Sequence, residues 1–85
     1  MNQQKPGNIL RLFNQGDRSA FTAIYNSYSN RVFLYAKYLL NSSVEAEDIV
    51  SDTFLKLWHV KARFRTQDKI SAFLVITTRN ACYDR

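Results

Sequence analysis

Across 85 residues the sequence holds one cysteine, one histidine, one proline and two glycines. A lone Cys82 cannot close an internal disulfide, which places the expected protein in a reducing compartment, with this thiol as a small helix residue. One His, one Cys and no glycine-rich phosphate loop leave no nucleophile–base set, so an enzyme is disfavoured and no cofactor is implied. No run of about 18 apolar residues exists, so no membrane span is expected. The opening MNQQKPGNIL has neither an apolar signal core nor a cleavage pattern, and the expected location is cytoplasmic.

What is present points to one folded domain over residues 1–85. Hydrophobic residues make up 46% and aromatics 14%, too much for a disordered chain. Few breakers and many Leu, Ala, Arg and Lys predict an all-α fold, a compact bundle of four to five helices. The net charge of +5 is unevenly placed. Met1 to Ser43 carries five Lys/Arg against one Asp, Val44 to Trp58 one Lys against four acids, and His59 to Arg85 six Lys/Arg against two Asp. An acidic segment between two basic ones suggests two different partners, one of them nucleic acid; a merely solvated basic surface is the plainer alternative.

Ile9, Leu12 and Phe13 predict a short amphipathic helix from Asn8 to Gln15, closed by Gly16. Asp17 or Ser19 can cap the next helix, where Phe21, Ile24, Tyr25 and Tyr28 follow at helical spacing. Ser29-Asn30 reads as a break or a new cap, after which Val32, Tyr35, Ala36, Leu39 and Leu40 continue the stripe to a helix end at Asn41. HVKARFRTQDK, charged and without apolar period, reads as a loop. A last helix is expected from about Asp68, with Phe73, Leu74, Thr77, Thr78 and Ala81 inward, despite the β-branched run Val75 to Thr78. Nothing closes that helix at Asp84-Arg85, which points to a longer polypeptide.

The most telling stretch is SSVEAEDIVSDTFLKLW, Ser42 to Trp58. At about 100° per residue, Ala46, Ile49, Val50, Thr53, Phe54 and Leu57 form one stripe that can dock on a core. Ser42 followed by Glu45 fits a capping box. Asp48, Ser51, Leu55 and Trp58 line up as a second face, with Leu55 nearly opposite the centre of the first. Folding alone does not ask for that face, although a neighbouring segment of the chain could cover it. Glu45, Asp48 and Asp52 share a side, but with no His or Cys nearby a metal site is not expected.

FTAIYNSYSNRVFLYAKYLL, then VEAEDIVSDTFLKLW, then KARFRTQDKISAFLVITTRNACYDR, resembles region 2 of the extracytoplasmic-function (ECF) group of bacterial sigma factors, over roughly Ile9 to Arg85. The resemblance implies that the acidic helix binds the clamp-helix coiled coil of the RNA polymerase β′ subunit through Asp48, Ser51, Asp52, Leu55 and Trp58. It also implies that the following loop and last helix read the promoter minus-ten element, chiefly its melted non-template strand. By position the DNA-binding candidates are Lys61, Arg63, Arg65 and Lys69 in the loop, and Arg79, Asn80 and Tyr83 on the helix. Similar proteins carry Gln where Ser51 stands, commonly Trp where Phe73 lies and often Arg where Ile76 lies. Members are often held inactive by an anti-sigma factor, and a further domain would read the minus-thirty-five element.

The chemistry suits such work, since Lys and Arg track phosphates while an Asn offers both donor and acceptor to a base edge. Phe64 is expected to plug the loop onto the domain, and His59 to sit near the negative end of a helix dipole. Two other classes stay open on the residues alone. One is a helical protein-interaction domain that reads no DNA. The other is a duplex-binding helix-turn-helix, which wants a short turn where this chain has a long charged loop.

Overall fold

The structure, a computed structural model, describes residues 6–85, with side chains from residue 8 onward. Residues 1–5, read above for the lack of a leader, lie outside the described residues. Four α-helices follow one another: α1 (Pro6–Asn14), α2 (Arg18–Leu40), α3 (Ser43–His59) and α4 (Gln67–Tyr83), with a 3-10 turn at Lys61–Arg63 between α3 and α4. The fold is all-α, as the composition predicts. Among the described residues no helix is long and apolar enough to cross a membrane.

Each boundary has a local cause. Gly16 takes φ 90°, and the Gly16 and Asp17 N–H groups donate to the Phe13 and Leu12 carbonyls, both at 2.9 Å. These are the two hydrogen bonds of a Schellman cap, which needs a residue free to adopt positive φ. Asp17 caps α2, its Oδ1 accepting from the Ala20 N–H at 2.9 Å and the Ser19 hydroxyl at 2.7 Å. Asn41 ends α2 in the left-handed region at φ 54°. Ser42 Oγ accepts from the Glu45 N–H at 3.2 Å to start α3, the acceptor half of the predicted capping box. Thr66 does the same for the Lys69 N–H at 3.2 Å, so α4 begins one residue ahead of the expected Asp68.

The carboxyl of Asp17 is held below its ordinary 3.8 by the Ser19 hydroxyl first and the Ala20 N–H second. The folded state therefore prefers the ionised form. Its contribution is full above 3.8 and is lost as pH falls through the lowered folded value. Acid unfolding followed by circular dichroism should show Asp17→Asn, which keeps a capping oxygen, with a shallower loss of stability across that window than the parent.

The predicted break at Ser29-Asn30 is wrong: α2 runs through it without interruption. Its inward residues Ala20, Ile24, Tyr28, Val32 and Ala36 recur every four positions, and that ridge crosses Ser29-Asn30 intact. Tertiary packing of the ridge outweighs the modest local preference of Ser and Asn for caps. Upstream, Thr22 and Ser27 turn their hydroxyls to the carbonyls four residues back.

α2 is the spine, packing on both α3 and α4, while α3 also packs on α4. Phe13 of α1, Ile24 and Val32 of α2, Phe54 and Leu57 of α3, and Ile70 and Leu74 of α4 belong to the main core. A smaller cluster joins Ala36, Ala46, Ile49 and Cys82. Cys82 is a small buried residue of α4, as expected, and burial pushes its thiol up despite nearby Arg85. On α4 the expected inward face is turned by part of a helical step. Ile70, Leu74, Thr78 and Cys82 are buried, whereas Phe73, Thr77 and Ala81 are only half-buried. The β-branched run is helical, because α2 and α3 offer it a groove and no partner strand exists among the described residues.

Candidate functional site

The two faces of α3 separate as the helical wheel requires. Ile49, Val50, Phe54 and Leu57 are buried; Phe54 is 3% exposed and its neighbour Leu55 is 57% exposed. Asp48, Ser51 and Asp52 are exposed with Leu55. Asp52 lies 4.0 Å and Glu45 3.9 Å from the Arg85 guanidinium, loose surface pairings that contribute little.

Trp58 differs from its companions. Its ring centroid is 5.0 Å from Phe21 and 6.2 Å from Phe13, so most of the indole belongs to the core and only part of it reaches the outer face. The sequence also gave no warning that α2 shares this surface. Arg18, Phe21, Thr22 and Tyr25 of α2 form one wall of a groove whose other wall is Ser51, Leu55 and Trp58. Arg18, Thr22 and Tyr25 stand at steps of four and three beside the core ridge. The Tyr25 and Phe54 rings meet edge-on at 4.8 Å, tying the groove's floor to the core.

The basic candidates form a second region around the C-terminal end of α3 and the turn that follows it. Arg63, Arg65 and Lys69 surround a depression with Val60, Phe64 and Phe73. Phe64 is 9% exposed and meets the Phe73 ring edge-on at 5.5 Å, so it does plug the loop onto the bundle. A neighbouring depression shares Val60 and Phe73 and adds Asn80, Lys56 and His59. Asn80 and the cations Arg63, Arg65 and Lys69 thus lie around Phe73. Lys69, expected in the loop, stands in the first turn of α4 because Thr66 caps that helix. Lys56 and His59, in the last turn of α3, were not among the candidates, although basic residues at a helix C-terminus suit its dipole and remain available outward.

Arg79 and Tyr83 are exposed on α4 but line neither depression. Ile76, 49% exposed on the same side, presents apolar surface. Lys61 departs furthest from expectation. Its ammonium is turned inward, 4.2 Å from the Trp58 ring centroid and donating to the Trp58 carbonyl at 3.1 Å. Among the described residues no group of His, Cys, Asp or Glu is arranged to hold a metal ion.

The sequence that folds into this small helical bundle has relatives among known proteins. The family described as Sigma-70 region 2 matches residues 24–85. The chain belongs to the sigma-70 region 2 family. Among curated sigma factors, the ECF RNA polymerase sigma factor BldN of Streptomyces coelicolor (strain ATCC BAA-471 / A3(2) / M145) is 34% identical over 70 residues. That alignment covers 81% of this chain and 26% of BldN, so the chain spans about a quarter of that relative. No solved structure matches this region 2 chain. The match begins at Ile24, so α1 and the first turns of α2 lie outside the matched residues.

Proposed function

We propose that this domain is a promoter-specificity module of an alternative sigma factor, which binds the clamp helices of the polymerase β′ subunit and reads the melted minus-ten element. The observation that carries the reading is Leu55, 57% exposed beside buried Phe54 and rimmed by Asp48 and Asp52, in a chain of the sigma-70 region 2 family. An apolar anchor inside a charged rim is the usual build of a protein-binding hot spot. Around a separate depression, Arg63, Arg65 and Lys69 supply phosphate contacts beside an aromatic floor, and Asn80 offers an amide to a base edge. The division of charge fits this order of events, with the acidic helix meeting polymerase and the basic flanks meeting DNA.

Direct binding to a β′ clamp-helix peptide tests the first half: no measurable association would remove the polymerase reading. For the second half, single-stranded DNA with a minus-ten-like sequence is compared with scrambled strands. Arg63→Ala should weaken binding to all strands alike and lower the log–log salt slope by about 0.7 for the phosphate lost. Asn80→Ala should leave that slope unchanged and reduce discrimination at one base position by about 1–3 kcal/mol. Promoters opened normally by the full-length factor carrying both changes would show that the basic half does not read DNA.

A further inference from the structure

Lys61 opens the loop assigned above to DNA, and three elements hold it. Asn14, at the C-terminal end of α1, donates its Nδ2–H to the Lys61 carbonyl at 2.6 Å across 47 positions of sequence. The Lys61 ammonium reaches back over the Trp58 indole and donates to the Trp58 carbonyl. That carbonyl lies in the last turn of α3, where a cation also meets the negative end of the helix dipole. The Lys61 stem crosses the α1–α2 turn so closely that a Cβ on Gly16 would stand 3.3 Å from its Cε. The side chain thus fills the space that the glycine leaves, and the charge faces protein.

We propose that Asn14 and Lys61 form a clasp through which α1 sets the position of the DNA-reading loop, so that Lys61 is a positioning residue and not a phosphate ligand. The inference rests on the proposed reading of the loop as the DNA-contacting segment. The next turn is built directly on the clasp: Arg63 donates its N–H to the Val60 carbonyl at 3.0 Å, and its side chain borders the cationic depression. Fixing the Lys61 backbone therefore fixes where the first of the loop cations starts. Asn14 lies outside residues 24–85, so this support comes from a segment beyond the family match.

Asn14→Asp replaces the donor amide by an acceptor of the same shape, and Lys61→Met keeps the alkyl stem without the charge. Binding of the whole 85-residue chain, with the clamp-helix peptide, to minus-ten-like single-stranded DNA is measured over a salt series. Both variants should bind roughly three- to tenfold more weakly at every salt, the scale of one lost hydrogen bond, with unchanged slope and unchanged affinity for the clamp peptide. The emission of Trp58, the single tryptophan, should shift in Lys61→Met as the cation leaves its ring. A slope lowered by about 0.7 in Lys61→Met would make Lys61 a phosphate ligand and overturn the clasp. Parental affinity in Asn14→Asp would overturn it equally. If the parent binds no strand, the DNA reading fails. The clasp is then decided by hydrogen exchange at the Arg63 amide: faster exchange in Asn14→Asp upholds it, and an unchanged rate refutes it.

Discussion

Phe54→Ala is expected to lower the stability of this domain by about 3–5 kcal/mol, the usual range for removing a buried aromatic side chain. Phe54 is 3% exposed and touches the rings of Phe21, at 6.4 Å between centroids, and Tyr25, at 4.8 Å. Truncation therefore removes apolar burial and two edge-on aromatic contacts together, and it leaves a cavity between α2 and α3. Small domains hold roughly 0.05–0.15 kcal/mol per residue, so the loss is a large share of the total. Thermal melting should show a midpoint lower by on the order of 12–40 °C. A fall of only a few degrees would mean that α2 and α3 close over the gap, and the packing described for this region would need revision.

Leu55→Ala should have the opposite profile. Its side chain is more than half exposed, so stability should change by no more than about 0.5 kcal/mol. Affinity for the β′ clamp-helix peptide should fall by about 1–3 kcal/mol, as expected for an apolar anchor at the centre of a charged rim. Titration calorimetry and a melting curve on the same sample separate the two quantities. Trp58→Ala cannot make that separation, because its indole packs on Phe13 and Phe21 and its loss would weaken fold and binding together. Parental affinity in Leu55→Ala would return the outer face of α3 to ordinary surface.

The contrast between Phe54 and Leu55 was legible in the sequence because α3 is capped at a recognisable Ser42 and its two faces differ in chemistry. The caps at Asp17 and Asn41 were legible for the same reason: each is a residue type that satisfies unpaired helix-end groups. The continuity of α2 was not, since Ser29-Asn30 signals a boundary locally and only the four-residue ridge on either side says otherwise. On α4, the large Phe73 drew the expected face toward itself, whereas packing between two helices buries Ile70 and Cys82. The groove wall on α2 and the inward turn of Lys61 depend on contacts between distant segments. No periodicity in one segment can announce a bond between Asn14 and a carbonyl 47 positions away.

The unbroken α2 also bears on how the molecule comes apart. At 23 residues it is about 34 Å long, and it supplies Ile24 to one core cluster and Ala36 to the other. Neither cluster can open without disturbing the same helix, so α2, α3 and α4 should exchange their amide protons as one cooperative unit, near the free energy of global unfolding. α1 has no share in the second cluster, but its fully buried Phe13 belongs to the first and meets the Trp58 ring at 6.2 Å. It cannot leave without opening the main core. Warming should therefore release α1 and the Lys61 turn together with that core rather than ahead of it, as a single melting transition.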